Sequence, residues 1–99
     1  MIYTVTFNPA LDYLMYVKDL QSNDINRTER EQLNYGGKGI NVSVILSRLG
    51  IENKALGFLA GFSGRQIEDM LNEDGIKSDF VYLQKGYTRI NVKIKSDKE

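Results

Sequence analysis

The chain has 99 residues, 41% of them hydrophobic and 26% charged. That makes it one domain at most or a piece of a larger one, with apolar content for one modest core and too much for wholesale disorder. Thirteen basic residues balance thirteen acidic ones, so the basic footprint of a nucleic-acid or membrane-surface binder is missing. With no Cys and no His, disulfides, thiol nucleophiles, thiolate zinc sites and imidazole bases are excluded. No apolar run nears the length of a membrane span, and Met1 to Val5 carries no basic leader. A soluble, cytoplasmic protein with no nucleic-acid or membrane partner is the expectation.

In chain order, Ile2 to Phe7 is β-branched and aromatic and reads as a strand closed by Asn8-Pro9. Tyr13 to Val17 is a second short extended segment, and Lys18 to Thr28 is a polar loop. Glu29 to Tyr35 is a further strand candidate, followed by Gly36-Gly37-Lys38-Gly39, a break that no regular element tolerates. Beyond it, Val42, Ile45, Leu46 and Leu49 recur at helical spacing, Ile40 and Val44 widen the apolar arc, and Gly50 stands where a helix C-cap belongs. Lys54 to Phe62 is a near-continuous apolar strand, and Gly61-Phe62-Ser63-Gly64 reads as a turn. Ile67, Met70 and Leu71 mark a second helix, ending in a Schellman cap at Gly75 with Ile76 as its apolar contact. Phe80 to Leu83 is a strand and Lys85-Gly86 a turn. Tyr87 to Lys95 then alternates, with Ile90, Val92 and Ile94 on an inward face and Arg89, Asn91, Lys93 and Lys95 on an outward one.

Strand, glycine break, helix, apolar strand, helix, strand is the rhythm of an α/β protein. Strands as apolar as Ala55 to Phe62 need both faces covered, yet the chain offers two helices and stops at Ser96 to Glu99 just after a strand. It therefore reads as the first part of a longer α/β protein.

Four positions stand out chemically. Gly36-Gly37-Lys38-Gly39 opens a helix, where free N–H groups and the helix dipole suit an anion or a hydroxyl. Lys38 adds a point charge there, and Asn41 brings an amide in the first turn. A tight strand-to-helix turn would explain two of these glycines, and a lysine flanked by three favours binding. The run matches neither a Walker A loop nor a dinucleotide fingerprint. It does fit the G-x-x-G of an RNA-binding KH domain, but that loop joins two helices and Glu29 to Tyr35 has no helical period. Asp12 lies just past the first strand, at the carboxyl end where ligands bind in open α/β sheets. It is either a turn-forming residue or an acceptor for two sugar hydroxyls. Arg27 and Arg89 are either surface arginines or forks for a phosphate.

Taken together, Thr4-Val5-Thr6-Phe7-Asn8-Pro9-Ala10-Leu11-Asp12, Gly36-Gly37-Lys38-Gly39-Ile40-Asn41-Val42, Gly50, and Ala55-Leu56-Gly57-Phe58-Leu59-Ala60-Gly61 resemble the ribokinase-like sugar kinases, the carbohydrate kinases named after the minor phosphofructokinase. One departure is visible: Ala60 stands where that signature usually has Gly. Within the family, Thr88-Arg89-Ile90-Asn91-Val92-Lys93-Ile94 is similar to the 1-phosphofructokinase subgroup, and tagatose-6-phosphate kinases keep only its threonine and arginine. The resemblance implies the N-terminal portion of a three-layer α/β/α fold with a small β-sheet lid, the lid strands lying near 13–17, 29–35 and 87–95. It implies transfer of the ATP γ-phosphate to the 6-hydroxyl of fructose 1-phosphate, with Mg²⁺, and a homodimer through the lid. Asp12 would hold sugar hydroxyls. Gly36, Gly37 and Asn41 would contact the sugar, and Lys38, Arg27 and Arg89 would face its phosphate. The family's catalytic Asp sits in a Gly-x-Gly-Asp motif that these residues do not contain, and its ATP pocket is built from the later part of the fold. The 99 residues alone are therefore expected to be inactive. A sugar-phosphate- or RNA-binding module without catalysis is the alternative.

Overall fold

A computed structural model describes residues 1–17 and 30–96. The elements are β1 (Ile2–Thr6), β2 (Ala10–Val17), β3 (Arg30–Gly36), α1 (Lys38–Arg48), β4 (Asn53–Ala60), α2 (Gly61–Glu73), β5 (Ser78–Leu83) and β6 (Arg89–Ser96). They form two sheets of three strands, β1-β4-β5 and β3-β2-β6. The first is wholly parallel, which requires crossovers, and α1 and α2 supply them. In the second, β2 runs antiparallel to β3 and parallel to β6. The polar stretch at 18–28 and Glu29 lie outside the described residues.

Both helices lie on one face of the parallel sheet. Ile40, Ala55, Leu59, Ile67, Leu71, Ile76 and Phe80 form the core between them, joined by Leu11 from β2. Both helices end in Schellman caps. Gly50 and Gly75 take positive φ, and the next residues, Ile51 and Ile76, donate back to Leu46 O and Leu71 O at 2.9 Å. Ile76 is buried against Leu71, the apolar contact expected of that motif.

The face that α1 turns to the sheet differs from the one read in the sequence. Val42, Ile45 and Leu49 point outward, with Ile45 56% exposed. The inner face is Ile40, Ser43, Val44 and Ser47, the same helical period shifted around the axis. Its hydroxyls have partners: Ser43 Oγ bonds Thr4 Oγ1 at 2.5 Å, and Ser47 Oγ accepts from Asn53 Nδ2 at 3.1 Å. Small hydroxyl residues let the helix lie close on β1, and pairing removes the cost of burying them.

The glycine run is also less of a break than expected. Gly36 closes β3, Gly37 alone lies between elements, and Gly39 is inside the first turn of α1. Gly37 has φ 138°, and a Cβ there would meet Thr6 Cγ2 at 2.6 Å. A Cβ at Gly39 would fall 2.6 Å from the Val5 carbonyl oxygen. These two glycines are demanded by the approach of α1 to β1, and Thr6 Oγ1 accepts the Ile40 N–H at 2.9 Å as a substitute cap. Gly39→Ala should therefore destabilise the full-length protein by about 1 to 3 kcal/mol, despite alanine's better helix propensity. The check is the denaturant midpoint, and an unchanged or raised midpoint would contradict the packing argument.

Gly61 to Gly64, expected as a turn, is the first turn of α2. Gly61 at φ 61° swings the chain from β4 straight into the helix. Ala60, where the family signature has Gly, is extended (φ −153°, ψ 145°) and buried, a conformation alanine adopts without strain. The alternation in β6 is real, but its apolar face is not covered: Val92 is 59% exposed, and Ile90 and Ile94 are exposed beside it. α2 packs on that side of the second sheet at its Leu11 and Tyr35 end, and Val92 and Ile94 lie beyond it.

Candidate functional site

Asp12 does not follow a strand end in a turn; it sits inside β2. Strand register sets Asn34 of β3 and Asn91 of β6 opposite it. Alternation puts the row Asn34–Asp12–Asn91 on one face together with the next rows, Gln32–Leu14–Lys93 and Arg30–Tyr16–Lys95. At the end of this polar face the Tyr16 ring lies under the Arg30 guanidinium, 4.1 Å from its centre. Asn91 Nδ2 donates to Asp12 Oδ1 at 3.0 Å, and Gln32 Nε2 donates to Asn34 Oδ1 at 3.2 Å.

A cleft of about 630 Å³ opens between this sheet and α1. Asp12, Asn34, Gly36 and Asn41 line it together, with Arg48 and Asp74 also on its wall. A Cβ on Gly36 would touch Asp12 Oδ2 at 3.4 Å, so the missing side chain leaves that oxygen open to the cleft. Tyr35 adds a hydroxyl that donates to Asp74 Oδ2 at 2.6 Å. Partial burial, then that bond and the Asp74 charge, push the phenol up to about 12, with Arg48 opposing.

Three of the expected residues thus meet: Asp12, Gly36 and Asn41. Lys38 is exposed at the head of α1 and is not among the residues lining the cleft. Gly37 is not among the residues lining the cleft, and its missing side chain leaves room for Thr6. Arg27 lies outside the described residues. Arg89 borders a separate hollow of about 250 Å³ with Phe7, Asn8, Pro9, Phe58 and Ala60, beside the carboxyl ends of β1 and β4. It is opposite Ala10 in the register and so shares the Asp12 face of the sheet.

What fixes Arg89 is its neighbour. Thr88 is buried, its N–H donates to Ala60 O at 2.9 Å, and its Oγ1 accepts the Ala60 N–H at 2.9 Å. Ser63 Oγ donates to Thr88 O at 2.7 Å. Three bonds therefore pin the start of β6 to the β4–α2 corner. Thr88 and Asn91 are visible in the sequence only as members of the Tyr87 to Lys95 run, with no role of their own. The strand alternation that places Asn91 level with Asp12 was legible, but the pairing of β2 with β6 across 79 positions was not.

The family model for pfkB family carbohydrate kinases matches residues 5–99. The chain belongs to the pfkB carbohydrate kinase family. It is 46% identical over 99 residues to a 1-phosphofructokinase of Bacillus subtilis, covering all of this chain and 32% of that protein. It is equally 46% identical over 99 residues to a D-tagatose-1-phosphate kinase of Bacillus licheniformis, again covering 32% of the relative. A crystal structure of a candidate phosphofructokinase from Staphylococcus aureus superposes with a TM-score of 0.92 at 47% identity, over 98% of this chain and 31% of that one. The chain thus spans about a third of the length of these relatives, and its fold is the amino-terminal portion of the ribokinase-like kinase fold.

Proposed function

We propose that the chain is the sugar-binding, amino-terminal third of a hexose-phosphate kinase that transfers the ATP γ-phosphate to the 6-hydroxyl of fructose 1-phosphate, giving fructose 1,6-bisphosphate. The observation that carries this is the meeting of Asp12, Gly36 and Asn41 in one cleft. A carboxylate, an unobstructed backbone and a carboxamide suit a polyol, which offers hydroxyls that both donate and accept. Phosphoryl transfer rests on positioning and on neutralising charge. In this reading Asp12 orients the acceptor sugar, and Arg89, with Lys38 and Arg27, holds the phosphate at the other end. The base and the nucleotide pocket belong to the part of the kinase beyond these residues. No three His, Cys, Asp or Glu side chains gather as a metal site among the described residues. In this reading Mg²⁺ is bound, with ATP, mainly by the part of the kinase beyond these residues, and no step is assigned to it in this chain.

Sheet β3-β2-β6 is the lid of this reading. Its exposed apolar face, with Leu33, Val92 and Ile94, supports pairing with a second copy. The tagatose alternative shifts in one respect: the tagatose relative is named for the 1-phosphate, so both names favour a ketohexose phosphorylated at carbon 1. The RNA-binding alternative loses its ground, because the element before the glycine run is strand β3 and not a helix.

The test is direct. The full-length protein should convert fructose 1-phosphate and MgATP to the 1,6-bisphosphate, and Asp12→Ala should lower kcat/KM about 100-fold. Turnover of fructose 6-phosphate alone, or none with any ketohexose phosphate, would overturn the reading.

A further inference from the structure

We propose that Asn91 is a positioning residue that aims the Asp12 carboxylate at the sugar. The inference rests on the reading of Asp12 as the acceptor for sugar hydroxyls and adds a residue to it.

The argument starts from what a carboxylate on a strand can do. Its last torsion joins an sp³ to an sp² carbon and is broad, so the oxygens of an unheld Asp swing freely. Two hydroxyls of a bound sugar need both oxygens in place at once, and fixing them on binding costs affinity. Asn91 meets that cost beforehand. It stands opposite Asp12 in the parallel β2–β6 pair, and its Nδ2 donates to Oδ1 at 3.0 Å. The orientation of the amide follows from chemistry, since an ionised carboxylate only accepts.

Fixing Oδ1 leaves Oδ2 on the side of Gly36, where a Cβ would lie 3.4 Å away. That is the oxygen open to the cleft. A neutral amide also suits the task better than a cation would. It holds the oxygen without cancelling the charge that attracts the hydroxyl protons. The charged groups around the pair are Arg89 and Lys93, two residues either way along the same face of β6. Lys38 heads α1, and Arg48 and Asp74 line the far wall of the cleft from α1 and the end of α2.

The experiment uses the full-length kinase, with KM and kcat measured for fructose 1-phosphate and for free fructose. Asp12→Ala is read first: if it leaves kcat/KM unchanged for both sugars, the site reading falls and takes this inference with it. Given a loss there, Asn91→Leu should raise KM for both sugars about 10-fold, with kcat changed less. Asn91→Asp should lose about 100-fold in kcat/KM at about pH 8, where two carboxylates face each other. As the pH falls to about 5.5, one proton shared by the pair restores a donor, so the ratio of variant to wild type should recover. Taking the ratio removes the titration of the sugar phosphate itself. A lowered melting temperature with unchanged KM values would make Asn91 merely structural and overturn the proposal. So would a variant-to-wild-type ratio that stays flat with pH. Should Asn91→Leu fail to fold, the pH profile of Asn91→Asp decides alone.

Discussion

Arg89→Ala in the full-length protein should cost about 10- to 150-fold in kcat/KM with fructose 1-phosphate and far less with free fructose. The size follows from a charge-assisted contact to phosphate, about 1.5 to 3 kcal/mol. The selectivity follows from what free fructose lacks. Structure makes the arginine a credible fork because its backbone is not free to drift. Thr88 is bonded through its N–H, its hydroxyl and its carbonyl to Ala60 and Ser63, so Arg89 enters β6 from a fixed point. It stands on the Asp12 face, opposite Ala10, where the second sheet meets the carboxyl ends of β1 and β4. Arg89→Lys should recover only part of the loss, since an ammonium cannot form the planar fork. Steady-state kinetics with both sugars provide the check. Equal losses for both would make the arginine structural and move the phosphate elsewhere.

How far the sequence carried this picture depended on range. The helix ends were legible because a Schellman cap is local: Gly50 and Gly75 needed only their neighbours to be read. The βαβ order was legible from the change of period. The inner face of α1 was not. Apolarity pointed to Val42, Ile45 and Leu49, whereas close approach to β1 selected Ser43 and Ser47, whose hydroxyls find Thr4 and Asn53. Asp12 and Asn41 were recognisable by type and by resemblance. That Asp12 lies within a strand followed from pairing with both β3 and β6, a long-range fact with no local signal. Gly37 and Gly39, which look like a cradle in the sequence, also give clearance for Thr6 and Val5. Only Gly36 of that run faces the cleft.

The isolated 99-residue chain should bind a hydrophobic dye strongly, associate in solution, and show no turnover with MgATP and any sugar phosphate. Alternation along the parallel sheet sorts its side chains cleanly. Thr4, Thr6, Ala55, Leu59 and Phe80 face the helices and are buried. Tyr3, Val5, Phe7, Phe58, Val81 and Leu83 point the other way, with Phe7 69% and Val81 58% exposed. Phe7 stacks on Phe58 at 6.2 Å, so these rings form one continuous surface. Such a surface on a parallel sheet normally lies under a second helical layer, and bare patches of this kind drive association. The outward face of α1, with Val42, Ile45 and Leu49, adds to it. Activity fails for a separate reason. The cleft proposed for the sugar is present, but these residues contain no Gly-x-Gly-Asp to supply the catalytic base expected from the family resemblance. Dye fluorescence, sedimentation and a coupled kinase assay on the purified segment are the measurements. A monomer with a sharp melt and no dye signal would show that the open face is tolerated in water. Turnover above a mock purification would show that catalysis needs less than the whole kinase.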